Sequence, residues 1–217
     1  MNKTIGIISY FPDNEEIRKN RKTKLISLIK KCLDIFNLPF IIIAQNYTKQ
    51  DEQDILALSN NITLCSYKDK LGITGARKYL RTMFLSSNYD YLIMLDDDCK
   101  LSGNRESGIN YLKQIDEHPN MFYEFNKTLL KLFAISREVF SLEDFEDISP
   151  EKEEGFEDRI FVNKLRKKYP NKQYTFNKGT LRESSISTKD KDSTWYTNQN
   201  INKMLSNTLN CIEKIKI

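Results

Sequence analysis

The sequence Tyr91-Leu92-Ile93-Met94-Leu95-Asp96-Asp97-Asp98-Cys99-Lys100 decides how the rest of the chain is interpreted. Its five-residue apolar run is typical of a buried strand and is short for a helix. Three carboxylates follow at once, and because like charges repel, a fold that gathers them at a strand end normally supplies a cation there. Alternate side chains of a strand share a face, which predicts Asp96 and Asp98 on one side and Asp97 on the other. Such oxygen ligands suit Mg2+ or Mn2+. The alternative is an acidic turn that binds nothing.

Apolar segments in the rest of the chain predict an α/β fold: an open, mostly parallel sheet flanked by helices. Continuous apolar runs alternate with segments of helical spacing, which is typical of parallel sheets. The predicted strands cover residues 4–10, 40–44, 62–65, 91–95, 121–125 and 127–135. The predicted helices cover residues 14–36, 51–58, 76–86 (after a turn over 72–75), 109–115, 137–140, 157–165 (with Glu157 and Asp158 in the first turn) and 201–212.

Polar residues follow the carboxyl ends of the predicted strands, where ligands of open α/β sheets bind. No G-x-G-x-x-G motif and no P-loop follows the first strand, which argues against a Rossmann dinucleotide site and against a P-loop enzyme. The sequence therefore predicts a crevice of another kind, built from residues far apart in the chain. Besides the aspartates, its predicted members are Ser9, Tyr10, Gln45, Asn46 and Ser66.

Composition is ordinary for one globular domain of 217 residues. The four cysteines contain no C-x-x-C pair and the chain has one histidine, which argues against a zinc site or a disulfide scaffold and favours a reducing compartment. There is no signal-peptide pattern at the N-terminus, and apolar runs fall short of the 18 residues or more that a membrane span needs. A cytoplasmic location is the expectation.

Charge is distributed unevenly along the second half of the chain. From Glu138 to Asp158 there are 10 acidic residues and one Lys, a net charge of −9. From Arg159 to Ile217 there are 13 basic and 4 acidic residues, a net charge of +9. Two interpretations stay open: the two segments attract each other, or the basic one meets an anion such as a diphosphate, a membrane surface or a nucleic acid.

Four motifs follow one another along the chain. They are Gly72-Ile73-Thr74-Gly75-Ala76-Arg77, Leu95-Asp96-Asp97-Asp98, Phe133-Ala134-Ile135-Ser136-Arg137-Glu138-Val139-Phe140 and Gly155-Phe156-Glu157-Asp158. In this order they resemble glycosyltransferases of the GT-A fold, nearest to the family 2 type and its galactosyltransferase-like relatives. The resemblance covers residues 4–166. It implies transfer of a hexose from a nucleotide diphosphate donor, with a UDP-sugar favoured, to an acceptor hydroxyl, with inversion and with help from Mn2+ or Mg2+.

The resemblance also implies roles for single residues. Asp96 and Asp98 match the D-x-D motif that holds the metal ion. Asp158 matches the general base of inverting members, and Glu157 beside it would contact the acceptor. The donor would be bound by Tyr10, Gln45, Arg77, Asp96 and Asp97.

One departure from the family concerns histidine. Many metal-dependent relatives place a histidine ligand after the base motif, whereas His118 lies before it and is expected to be an ordinary surface residue. Water or an oxygen ligand from residues 184–192 would then complete the metal shell. Residues 1–170 are expected to form the catalytic unit, and residues 171–217 a basic segment of the same domain. Within that segment, residues 178–191 would form either a lid over the diphosphate or a disordered loop.

Rival functions remain at this stage. A nucleotidyltransferase of sugar phosphates would normally have a Gly-rich loop after the first strand, which this chain lacks. A non-catalytic nucleic-acid-binding module would use the basic C-terminal region, although no nucleic-acid motif or regular aromatic platform accompanies it. The two ideas combine in a glycosyltransferase that acts on modified bases. Acceptors still open are a glycan, a lipid-linked glycan or modified nucleic acid.

Overall fold

A computed structural model of the protein describes residues 1–68, 70–124, 132–145, 157–176 and 182–185. Of these, residues 124, 157–159 and 182–185 are described by their backbone alone. The predicted helix over 201–212 lies outside these ranges. Within them, no helix is both long enough and apolar enough to cross a bilayer.

A seven-stranded sheet forms the centre of the molecule, in the order β3-β2-β1-β4-β7-β6-β8. Strand β7 runs antiparallel to both of its neighbours, and every other pairing in the sheet is parallel. The mostly parallel α/β sheet predicted from the sequence is thereby confirmed. The strands are β1 (Lys3–Tyr10), β2 (Phe40–Gln45), β3 (Ile62–Tyr67), β4 (Tyr91–Asp96), β6 (Phe122–Glu124), β7 (Phe133–Ser136) and β8 (Gln173–Thr175), while β5 (Cys99–Ser102) and β9 (Arg182–Ser185) pair in a second, small sheet.

Helices cover both faces of the sheet, so that the molecule has two hydrophobic cores. Alternate residues of a strand point to the same face of the sheet. Ile5 and Ile7, which alternate along β1, belong to one core, and Leu92 and Met94, which alternate along β4, belong to the other. The first core includes residues of α1 (Glu15–Ile35), α2 (Lys49–Leu56) and α4 (Arg105–Glu117). The second includes residues of α3 (Gly72–Ser86), α5 (Arg137–Leu142) and α6 (Glu157–Lys168).

Close packing on these faces depends on two glycines. A Cβ at Gly6 of β1 would lie 2.7 Å from a methyl group of Leu92 and 2.9 Å from one of Leu80, a residue of α3. A Cβ at Gly108 of α4 would lie 2.4 Å from the carbonyl oxygen of Ile35, at the end of α1. At Gly6, neighbouring side chains occupy the space that a Cβ would need, and at Gly108 the backbone of α4 lies closer to that of α1 than a Cβ would allow.

Several predicted boundaries were wrong. Helix α3 begins at Gly72 rather than at Ala76, because the left-handed φ of +71° at Gly72 lets the chain turn directly into the helix. Of the strand predicted over 127–135, the described part is Phe133–Ser136. Strands β5 and β8 were not predicted, because they are only four and three residues long and are held by pairing with β9 and β6.

The acidic and basic segments of the second half contact each other. The carboxylate of Glu143 accepts hydrogen bonds from Lys164 at 2.9 Å and from Lys168 at 2.6 Å, and Glu138 accepts one from Lys172 at 2.9 Å. Burial alone would raise the pKa of Glu143, but the two lysines outweigh it and the pKa is lowered. For these residues, the acidic and basic segments therefore attract each other, which is the first of the two interpretations of the uneven charge.

Candidate active site

The acidic triplet lies at the carboxyl end of β4. Parallel pairing sets Asp96 beside Ile8 of β1, so the triplet follows the strand end where the predicted crevice opens. Carboxylate oxygens of Asp96 and Asp98 and the sulfur of Cys99 all lie within 4.8 Å of one another. Asp97 contacts a different set of residues. Strand β4 ends at Asp96 and a turn follows over Asp97 and Asp98, so the turn rather than strand alternation sets this separation.

Asp97 accepts the last of two consecutive hydrogen bonds that pass through Ser9 of β1. The hydroxyl of Ser9 donates to the Asp97 carboxylate at 2.8 Å, and the hydroxyl of Tyr47 donates to Ser9 at 2.9 Å. Tyr47 is itself stacked on Phe11, with ring centroids 4.1 Å apart. Burial of the Asp97 carboxyl and the nearby negative charges raise its pKa to about 6, against the opposing effects of Arg21 and of the Ser9 hydrogen bond. Burial is therefore the main reason that the Asp97 carboxyl differs from an exposed one.

Arg77 of α3 brings a positive charge to Asp96. Its Nη2 lies 3.3 Å from Oδ1 of Asp96, and its side chain is buried. The guanidinium also lies over the ring of Phe145, 5.9 Å from the ring centre. Because α3 begins after the carboxyl end of β3, the early turn at Gly72 brings this arginine to the same edge of the sheet as the triplet.

Gln45 and Tyr10, at the ends of neighbouring strands, contact the loop before α3. The side-chain carbonyl of Gln45 accepts a hydrogen bond from the Leu71 amide at 2.8 Å, and the ammonium of Lys70 lies 5.1 Å from the ring centre of Tyr10. Gln45 therefore fixes the start of α3. Ser66, the remaining predicted member of the crevice on β3, is exposed.

Three other predicted residues lie on α4 and α6. Glu157 and Asp158 occupy the first turn of α6, described by their backbone alone, as the helical spacing of that segment predicts. His118 ends α4 and stacks on Tyr174, with ring centroids 4.3 Å apart. It is half-buried and packs against an aromatic ring, so it is not the ordinary surface residue that the sequence predicts.

Cys99 and Tyr47 were missed as members of the site. Cys99 directly follows the triplet and its side chain is buried, a position that the strand alternation of β5 could have indicated. Tyr47 stands two residues after β2, and nothing in the sequence shows that it reaches Ser9.

The donor atoms at the site fit a hard divalent cation. Carboxylate oxygens from Asp96 and Asp98 are ligands that Mg2+ and Mn2+ prefer, whereas the Cys99 thiol is a soft ligand that neither ion requires. Asp96 and Asp98 would hold such an ion, with the buried Cys99 next to them in the chain.

Comparison with known proteins found no matching family model and no match among curated proteins. Solved structures do match. TarS 1–349 from S. aureus superposes with a TM-score of 0.61 at 15% identity, over 83% of this chain and 59% of that one. The mannosyltransferase PcManGT from Pyrobaculum calidifontis, in complex with GDP-Man and Mn2+, gives 0.61 at 14% identity, over 87% of this chain and 58% of that one.

The chain has the GT-A fold. A proposed nucleotide-diphospho-sugar transferase from Desulfovibrio desulfuricans G20 matches this GT-A chain over 98% of both lengths, with a TM-score of 0.54 at 11% identity. The chain spans less than two thirds of TarS 1–349 and of PcManGT. At these identities the likeness concerns the fold.

Proposed function

We propose that this protein is a glycosyltransferase that moves a hexose from a nucleotide diphosphate sugar to an acceptor hydroxyl, assisted by Mn2+ or Mg2+. The observation that carries the proposal is the Asp96–Asp98 carboxylate pair at the carboxyl end of β4 in a GT-A fold. TarS 1–349 has been solved with UDP and with UDP-GlcNAc, and PcManGT with GDP-Man and Mn2+. These ligands support a nucleotide sugar as donor, and a UDP-sugar is favoured.

The charges of the site suit a leaving diphosphate. A divalent ion, when bound, would neutralise the negative charge that develops on the diphosphate as the glycosidic bond breaks. Asp96 and Asp98 would hold that ion, and Arg77 would add a fixed positive charge beside Asp96. In this proposal, Tyr10 contacts the nucleotide directly, and Gln45 acts through the loop that it fixes before α3.

Asp158 is proposed as the general base and Glu157 as an acceptor contact. Both follow from the resemblance of their motif, and both backbone positions fall in the first turn of α6. A base that removes the acceptor proton while the donor bond breaks would give inversion at the anomeric carbon.

A thermal-shift and hydrolysis screen of UDP- and GDP-sugars, with and without Mn2+, tests the proposal. One nucleotide sugar is expected to raise the melting temperature in a metal-dependent way, since a ligand that binds only the native state stabilises it. The Asp96→Ala/Asp98→Ala variant should lose both the shift and the hydrolysis. The matched Glu106→Ala/Glu117→Ala variant, which removes two exposed acids of α4, should keep both. Absence of any metal-dependent shift with the wild type would reduce the triplet to an acidic turn.

A further inference from the structure

A groove lined by lysines runs between α1 and β5. It encloses about 660 Å³ and lies beside the Asp96–Asp98 pair rather than over it. Its lining includes one acid, Asp34, which is already paired with Lys31 at 3.2 Å. The groove therefore has a net positive charge. Its lysines are Lys24, Lys30 and Lys31 of α1 and Lys100 of β5.

This lysine groove reaches the candidate active site. Cys99 lines the groove, and its sulfur lies within 4.8 Å of the carboxylate oxygens of Asp96 and Asp98. Helix α1 follows the carboxyl end of β1 and then leads back along the sheet, so the groove extends away from the aspartates. A molecule lying in it could present one end to them.

The spacing of the lysines favours an extended ligand with several negative charges. Lys24 and Lys31 are seven residues apart on one helix, about 10 Å along its axis. The four lysines lie on two elements and offer more positive charge than one phosphate needs, whereas a chain that carries several phosphates can use them together.

The other lining residues favour a carbohydrate over a nucleic acid. The described residues that line the groove include no aromatic side chain, so nucleic-acid bases would have no ring on which to stack. Ser27 and Ser102 supply hydroxyl groups, which can donate to and accept from sugar hydroxyls.

We infer that the lysine groove binds a phosphorylated glycan, whose terminal hydroxyl is the acceptor of the proposed transfer. The role of the glycan as acceptor rests on the proposed function, whereas the binding of the glycan rests on the groove alone. It assigns Lys30 and Lys100 to binding of the acceptor phosphates and gives them no part in donor chemistry.

Fluorescence anisotropy of a labelled, multiply phosphorylated maltohexaose tests the groove at several salt concentrations. We expect salt-dependent binding that the Lys30→Glu/Lys100→Glu variant weakens about tenfold or more, with a salt slope reduced by about two. The Lys19→Glu/Lys49→Glu variant makes the same charge change at exposed positions outside the groove and should bind within about twofold of the wild type. Unphosphorylated maltohexaose and inorganic phosphate should compete poorly.

Two further measurements, oligothymidylate binding and nucleotide-sugar hydrolysis, distinguish the possible explanations. Equal loss in both variants, or no loss in either, overturns the inference, because the charge would then act without regard to position. Tighter binding of an oligothymidylate, lost in the Lys30→Glu/Lys100→Glu variant, replaces the glycan with a single-stranded nucleic acid. Nucleotide-sugar hydrolysis without acceptor should be unchanged in that variant. If the wild type shows groove binding but no hydrolysis, the proposed function fails while the groove remains a polyanion site.

Discussion

Two carboxylate sites follow the carboxyl ends of strands in this protein, and the pKa values of their carboxyl groups are shifted in opposite directions. Asp51, in the first turn of α2, accepts hydrogen bonds from Arg18 at 2.7 Å and from Lys22 at 3.0 Å, and caps its helix together with Thr48. Burial would raise its pKa, but the hydrogen bonds from Thr48, Arg18 and Lys22 outweigh burial and hold the pKa well below its usual range.

The triplet is held differently. Arg77 lies 3.3 Å from Asp96, and the pKa of Asp97 is raised rather than lowered, chiefly by burial. A carboxylate that the chain surrounds with its own cations contributes to the fold. A carboxyl group whose pKa burial raises at the end of a strand is typical of a functional site.

The largest expected difference between the two sites is catalytic. Replacing Asp96 and Asp98 together by Asn should lower metal-dependent nucleotide-sugar hydrolysis roughly 10²- to 10³-fold, because the electrostatic stabilisation of the leaving group is lost. The melting temperature should stay the same or rise, since repulsion between like charges is relieved. Steady-state hydrolysis and calorimetry measure both. A marked fall in stability would show that the triplet stabilises the fold, as Asp51 does.

Asp51→Asn should do the opposite, with a loss of about 2–3 kcal/mol in the free energy of unfolding at pH 7. A carboxylate with a lowered folded pKa contributes stability above its unfolded pKa of about 3.9, and this contribution is lost as the pH falls through the folded value. The gap between variant and wild type should therefore begin to narrow below about pH 4 and keep narrowing as the pH falls further. Urea denaturation over an acid series checks this. A constant gap would mean that shape rather than charge is responsible.

The Arg77→Gln variant distinguishes the effect of the Arg77 charge on metal binding from its effect on donor binding. Removing the positive charge beside Asp96 should tighten Mn2+ binding about two- to fivefold, because less repulsion opposes the ion, while the KM for the donor rises. Arg77→Lys keeps the charge and should leave the Mn2+ affinity close to that of the wild type. Isothermal titration with Mn2+ gives the affinity. Weaker Mn2+ binding in Arg77→Gln would show that the arginine mainly orients Asp96.

The smallest expected effect comes from Ser9. Ser9→Ala removes the donor to Asp97 and should cost about 1 kcal/mol in stability. Tyr47→Phe keeps that donor and should cost less. Chemical denaturation of both variants ranks them. A larger loss in Tyr47→Phe would mean that stacking on Phe11 depends on the tyrosine hydroxyl.

Much of the fold could be predicted because its strands are buried on both faces. All six residues of β2 are buried, and a continuous apolar run in the sequence shows this directly. The four residues of β5 alternate between buried and exposed, a signal too short to distinguish from a loop. The three residues of β8 become a strand only through pairing with β6, which is a long-range contact.

The site could be predicted only as far as local periodicity extends. The alternation along β4 predicts Asp96 and Asp98 together, but the partner of Asp97 is Ser9, 88 residues away in the chain. The spacing from Thr48 to Asp51 resembles a capping box and could have marked Asp51 as structural. Its contact with Arg18 bridges two helices and has no local signature.

The position of β8 has a consequence for biosynthesis. Strand β6 pairs with β8 through residues 122–124 and 173–175, so its outer edge stays uncovered until about 50 further residues have been made. At typical rates of translation this takes roughly 3 to 10 s, during which the edge carries unpaired backbone groups. The first four parallel strands, by contrast, are complete at residue 96 and can pair while the rest of the chain is still being synthesised. The nascent chain would therefore complete the half of its sheet that carries the acidic triplet before it can close the opposite edge.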